Sequence, residues 1–149
     1  MLSRLAILLI LIFGTSTYGM ATPLIFEEGE VRIPLGLQLE YLEDPSGKLT
    51  LKNVRELELS GQFVQSNSSR PNFGVTDSAY WLHFKLSNPS EDSRNIPLEY
   101  DSIYDLLELH IITSDGEQTL LKKDIYKLVN EKRPRRDLFI FDLDFAANE

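Results

Sequence analysis

The segment Tyr80–Leu86, YWLHFKL, constrains the fold most: it is apolar at every second position over seven residues. Successive side chains of a strand point to opposite faces, so Tyr80, Leu82, Phe84 and Leu86 share one face and Trp81, His83 and Lys85 the other. The same alternation returns along the chain. Leu37–Leu42 sets Leu37, Leu39 and Tyr41 against Gln38 and Glu40. Leu106–Thr113 sets Leu107, Leu109 and Ile111 against Glu108, His110 and Ile112. Leu138–Phe145 sets Phe139, Phe141, Leu143 and Phe145 against Ile140, Asp142 and Asp144. Gly29–Leu37 and Ile96–Tyr100 read as further short extended stretches, and Gln118–Leu121 as a return strand after a hairpin turn at Ser114–Glu117. Leu57, Leu59 and Phe63 fit a short strand or an irregular segment. Asp44-Pro45-Ser46-Gly47 has turn chemistry, and Gln65–Asn72 and Ser87–Asn95 are polar loops. Short strands at this spacing predict an all-β, antiparallel sandwich in a single domain.

The N-terminus follows a different pattern. Met1–Arg4 is basic, Leu5–Phe13 (LAILLILIF) is apolar throughout, and Gly14–Ala21 turns to small and polar residues. This is the three-part pattern of a secretory signal peptide, with cleavage after Gly19 or Ala21. The apolar run is too short to cross about 30 Å of hydrocarbon as a helix. The expected division is a signal peptide at 1–21 and an extracytoplasmic domain at 22–149, on the periplasmic or outer face of the membrane.

Composition narrows the function classes. The net charge of −8 argues against a general nucleic-acid surface, which requires a basic face. The absence of cysteine removes disulfides, thiolate metal sites, a Cys nucleophile and a lipoprotein leader. No phosphate-binding Gly loop, nucleophile elbow or zinc-protease helix motif is present. The chain therefore reads as non-enzymatic, without a cofactor and without a metal.

Several residues still carry possible chemistry. His83 and His110 lie mid-strand, where a third metal ligand at close spacing is lacking; a plain sheet-face role is the simpler reading. Asp142 and Asp144 share a strand face, a spacing compatible with glycoside hydrolysis, but solvated outer-face carboxylates are the simpler reading. Lys122, Lys123, Lys127, Lys132, Arg133, Arg135 and Arg136 form a basic stretch. It fits an anionic ligand, a lipid surface, or charges guarding the neighbouring apolar strand. Trp81 is either a sugar-stacking platform or a core residue.

Two stretches together, Tyr41–Leu51 (YLEDPSGKLTL) and Asn72–Asn88 (NFGVTDSAYWLHFKLSN), resemble the extracellular type-two domain of bacterial seven-transmembrane receptors with diverse intracellular signalling modules. Leu106–Thr113, and Arg133 ahead of Leu138–Phe145, fit later positions of that pattern. The resemblance implies a jelly-roll-like sandwich similar to carbohydrate-binding modules, ahead of a membrane bundle and a cytoplasmic output module. The sequence departs from it at His83, where the family usually has Arg, and at Lys123-Asp124, where it has Gly-Asp. The chain ends at Glu149 with no membrane bundle, so a domain truncated before its closing strand is one expectation. The resemblance implies a sensory domain for a small-molecule ligand, a carbohydrate or an anionic metabolite, with a membrane-embedded signalling partner and no nucleic acid. Candidate ligand contacts are Arg70, Asn72, Trp81, Tyr126 and Arg133. A protein-docking domain without a small ligand is the alternative, and a carbohydrate-active enzyme a third.

Overall fold

The computed structural model describes residues 4–10, 23–25, 32–100, 104–113, 115–116, 118–124, 127, 130–131 and 140–148. Its elements in chain order are β1 (Arg4–Ile10), β2 (Leu24–Ile25), β3 (Glu40–Asp44), α1 (Leu51–Leu59) and β4 (Val64–Gln65), then β5 (Ala79–Phe84), β6 (Leu86–Ser87), β7 (Arg94–Glu99), β8 (Leu106–Ile112), β9 (Gln118–Asp124) and β10 (Ile140–Phe145).

The strands expected from alternation form β3, β5, β7, β8, β9 and β10. They gather into a six-stranded sheet in the order β4-β3-β5-β1-β8-β9 and a two-stranded β10-β7 sheet; β2 and β6 form a third, short pair. The inward residues of the two larger sheets meet in one core: Leu82, Phe84, Leu107 and Leu109 from one side, Phe141, Leu143 and Phe145 from the other. Leu107 and Leu109 are completely buried. Asp142 and Asp144 point outward and are exposed, and Asn95 Nδ2 donates to Asp144 Oδ1 at 2.7 Å. The fold is thus two facing layers of sheet over one apolar core, as period-two patterning requires.

The structure corrects the strand reading in three places. First, Leu51–Leu59 is a helix, not a strand or an irregular segment. Thr50 caps it: Thr50 Oγ1 accepts from Asn53 N, and Asn53 Oδ1 accepts from Thr50 N at 3.0 Å. Leu51, Val54, Leu57 and Glu58 then fall on one helical face. The helix ends at Gly61, whose φ of 71° suits a residue without a Cβ. Second, residues 32–37 contain no strand; 36–38 form a turn, with Gln38 N donating to Leu35 O at 2.8 Å.

Third, pairing is antiparallel at β3–β4, β3–β5, β8–β9 and β7–β10, but parallel at β2–β6 and at both edges of β1. Arg4–Ile10, within the expected leader, lies between β5 and β8, with Leu8 in register with both His83 and His110. A run that is apolar at every position suits a strand flanked on both sides as well as it suits an export signal. Pairing in the sheet and removal by a peptidase are alternative fates for these residues. Among the described residues, no helix is long and apolar enough to cross a membrane.

Candidate functional site

The turn after β3 sets the frame for the site. The Asp44 carboxylate accepts from Ser46 N, Ser46 Oγ and Gly47 N through Oδ1 (3.1, 2.6 and 2.9 Å) and from Leu49 N through Oδ2 (2.9 Å). Burial pushes this carboxyl up, but the hydrogen bonds outweigh it and hold Asp44 below its ordinary value. The bracket turns the chain out of β3 and into α1.

The loop after β4 carries two of the candidate contacts and is pinned against the turn before β3. Gln65 Nε2 donates to Leu37 O at 2.8 Å and Leu39 O at 3.1 Å, and Ser66 N donates to Leu39 O at 3.0 Å. Gly36 is required where the loop crosses it, because a Cβ there would lie 2.2 Å from Ser69 O. Arg70 and Asn72 are exposed on this loop. Asn72 Oδ1 accepts from Gly74 N at 2.8 Å, which fixes the side chain. Between them and β5 sits Phe73. Its ring stacks on Tyr80 at 4.0 Å and 17°, and tilts against Tyr41 at 5.2 Å. Burial, then Glu43, raises the Tyr80 hydroxyl, and Glu43 Oε1 also accepts from Ser78 Oγ at 2.7 Å. Arg70, Asn72, Tyr41, Phe73, Tyr80 and Glu43 therefore combine aromatic surface with charged and amide groups, the chemistry that binds small polar ligands.

Trp81 does not join that group. It faces the other side of the sheet, is 4% exposed, and packs with Val54 of α1 and Ile112 of β8. Its ring tilts on His110 at 5.5 Å. The half-buried aromatics where the Arg70–Asn72 loop enters β5 are instead Phe73, Tyr80 and Tyr41, which were not among the expected contacts. The signal that would have found Phe73 is its place between two polar loop residues and a strand beginning with Tyr. Tyr126 and Arg133 lie outside the described residues. In the basic stretch, Lys122 Nζ pairs with Glu108 Oε1 at 2.6 Å and Lys123 Nζ lies 5.2 Å above the Phe141 ring.

The opposite face of β5, where the sequence leaves Trp81 open between a platform and a core residue and His83 reads as a plain sheet-face residue, is covered by α1. His83 is 2% exposed. Its Nδ1 lies 3.1 Å from Glu40 Oε2 on β3, and its Nε2 lies 3.5 Å from Glu58 Oε1 on α1. The Phe63 ring meets the imidazole edge-on at 5.8 Å, and Lys85, also buried, follows on the same strand face. Burial lowers His83 against the opposing pull of Glu40, and burial raises Glu58 against the pull of Lys85 and Arg55. His110 is likewise lowered, by burial first, with Glu108 opposing. Among the described residues, no set of three or more His, Cys, Asp or Glu side chains is placed to hold a metal ion.

Geometry thus defines a two-layered β domain with one covering helix and an aromatic and polar loop at the start of β5. The family model described as 7TMR-DISM extracellular 2 matches residues 36–149, and the chain belongs to that family. These are extracellular domains of seven-transmembrane receptors, which puts the chain outside the cytoplasm in a sensory setting. Neither a curated protein nor a solved structure matches the chain.

Proposed function

We propose that this chain is the ligand-binding sensory domain of a bacterial membrane signalling receptor, exported to the periplasmic face with residues 1–21 as its leader, and that it binds without catalysing a reaction. The observation that carries this reading is the family match across residues 36–149. The ligand class is a small saccharide or an anionic metabolite, taken up where Arg70 and Asn72 stand beside the Tyr41–Phe73–Tyr80 rings. Three features support that location: the loop is pinned at Gly36, the rings are only half-buried, and a guanidinium and an amide are exposed on the same loop just ahead of Phe73. Arg pairs bidentately with carboxylates or phosphates, and aromatic rings match the C–H face of a pyranose. A jelly-roll connection of the strands, similar to carbohydrate-binding modules, belongs to the same proposal.

The test is a thermal-shift screen of the protein, both as the exported form and as the full 149-residue chain, against mono- and disaccharides and against di- and tricarboxylates. A ligand at 100 times its Kd stabilises by about 2.7 kcal/mol, which shifts a domain of this size by several degrees. The reading expects at least one class to stabilise the domain and Arg70→Ala to abolish the effect. Stabilisation that survives Arg70→Ala would move the site elsewhere, and a flat response to the whole panel would count against a small-ligand sensor.

A further inference from the structure

The groups around His83 pose a problem of proton counting. Each ring nitrogen faces a carboxylate, Nδ1 toward Glu40 and Nε2 toward Glu58. A neutral imidazole carries a single N–H. The shorter contact, 3.1 Å to Glu40, is a hydrogen bond and takes that N–H on Nδ1. Nε2 is then an acceptor. It is buried, has no hydrogen-bond partner among the described residues, and stands 3.5 Å from a carboxylate oxygen that is also an acceptor when ionised. That separation exceeds a formed O–H···N bond and suits two acceptors held apart. The other charged groups in reach are Lys85, just after β5, and Arg55 on α1, which act on Glu58 through space; the Phe63 ring lies against the imidazole edge-on, and on β8 His110 and Glu108 face Trp81 and Lys122.

We propose that Glu58 and His83 form a proton-gated latch between α1 and the sheet. With a proton on Glu58, its hydroxyl donates to His83 Nε2 and the C-terminal half of α1 is closed onto β5. Without that proton two acceptors oppose one another and the helix end is loosened from Trp81 and His83. The proton comes from solvent and moves to Glu58 Oε1, and no other bond is made or broken. The raised carboxyl of Glu58 supports this, because burial already favours its neutral form. The contact makes the ordering of α1 responsive to the acidity outside the cell, independently of any ligand at the Arg70 loop.

The test uses Glu58→Gln in the full chain. The Gln amide donates permanently to Nε2 and imitates the protonated state without changing the size of the side chain. At pH 8 the variant should melt above wild type, and its α1 amides should exchange about tenfold more slowly, since a buried hydrogen bond of about 1.4 kcal/mol is a factor of ten. The advantage should shrink as pH falls toward 5 and wild-type Glu58 takes up its proton. Because His83 and Glu58 titrate as a coupled pair, His83 is followed by its ring nitrogen shifts in both proteins at each pH. A variant at pH 8 no more stable than wild type would overturn the latch and make Glu58 the ionised partner of Lys85. Nitrogen-15 shifts of the His83 ring give a second reading: Nδ1–H with a bare Nε2 is expected in wild type at pH 8, and an Nε2–H tautomer or an imidazolium would overturn the proposal.

Discussion

Asp44 holds the backbone amide of Leu49 at 2.9 Å, across five residues, and so ties the end of β3 to the start of α1. The same carboxylate accepts three further hydrogen bonds from Ser46 and Gly47. Replacing it by Ala removes four part-buried hydrogen bonds, at a cost of about 1–3 kcal/mol, and Asn recovers part of that loss. Urea unfolding of the two variants measures both. The folded-state pKa lies below the ordinary 3.8, so the Asp44 contribution is present above 3.8 and is lost as pH falls through the folded value. The acid-unfolding limb of wild type should therefore be steepest between 3.8 and the lower folded-state value, and Asp44→Asn should lose that steepness.

Val54 is completely buried where α1 meets Trp81 and Ile112. Val54→Ala removes two methyl groups from that contact and should cost about 1.5–2.5 kcal/mol, read as a lower urea midpoint at unchanged slope. A near-neutral result would mean that the helix is not held against the outer face of the sheet.

The helix also shows where sequence patterning fails. Leu57 and Leu59 are two residues apart, so they imitate a strand; only Thr50 and Asn53 as a cap, with Leu51, Val54 and Leu57 at helical spacing, signal the alternative. Without the helix in view, Trp81 stays open between a platform and a core residue, His83 reads as a plain sheet-face residue, and the latch partners Glu40 and Glu58 lie too far from His83 in sequence to be associated with it. Strands were legible because one face of each meets a single core, as at Leu107 and Leu109 or Phe141, Leu143 and Phe145. The parallel placement of Arg4–Ile10 was not legible, since an unbroken apolar run fits both a leader and a flanked strand.

Arg4–Ile10 pairs along both edges, with β5 and with β8. A cytosolically expressed chain starting at Thr22 loses that strand and leaves two ladders unfilled. It should melt at least about 10 °C below the full 149-residue chain, since a few kcal/mol moves a small domain by that much. Equal melting temperatures would show that β5 and β8 do not depend on the strand. N-terminal sequencing of exported protein reads the other fate, with Met20 or Thr22 expected as the first residue.

Tyr104 is 2% exposed in the main core, and its ring tilts against Tyr100 at 5.8 Å. Burial first, and Tyr100 second, push its hydroxyl from 10.0 up to about 12. A folded-state pKa above the unfolded one means that the contribution is fully present below 10.0 and is lost as pH rises through about 12. Absorbance at 295 nm should show one tyrosine that ionises only with alkaline unfolding, and Tyr104→Phe should remove that step.

The proposed ligand site is the loop that carries Arg70 and Asn72 beside Phe73. The most direct measurement is an amide proton–nitrogen titration of the domain with each saccharide or carboxylate that raises its melting temperature. The account predicts saturable shifts confined to residues 66–80 and lost in Arg70→Ala. Saturable shifts centred on β10 or on β9, with the loop unmoved, would contradict it.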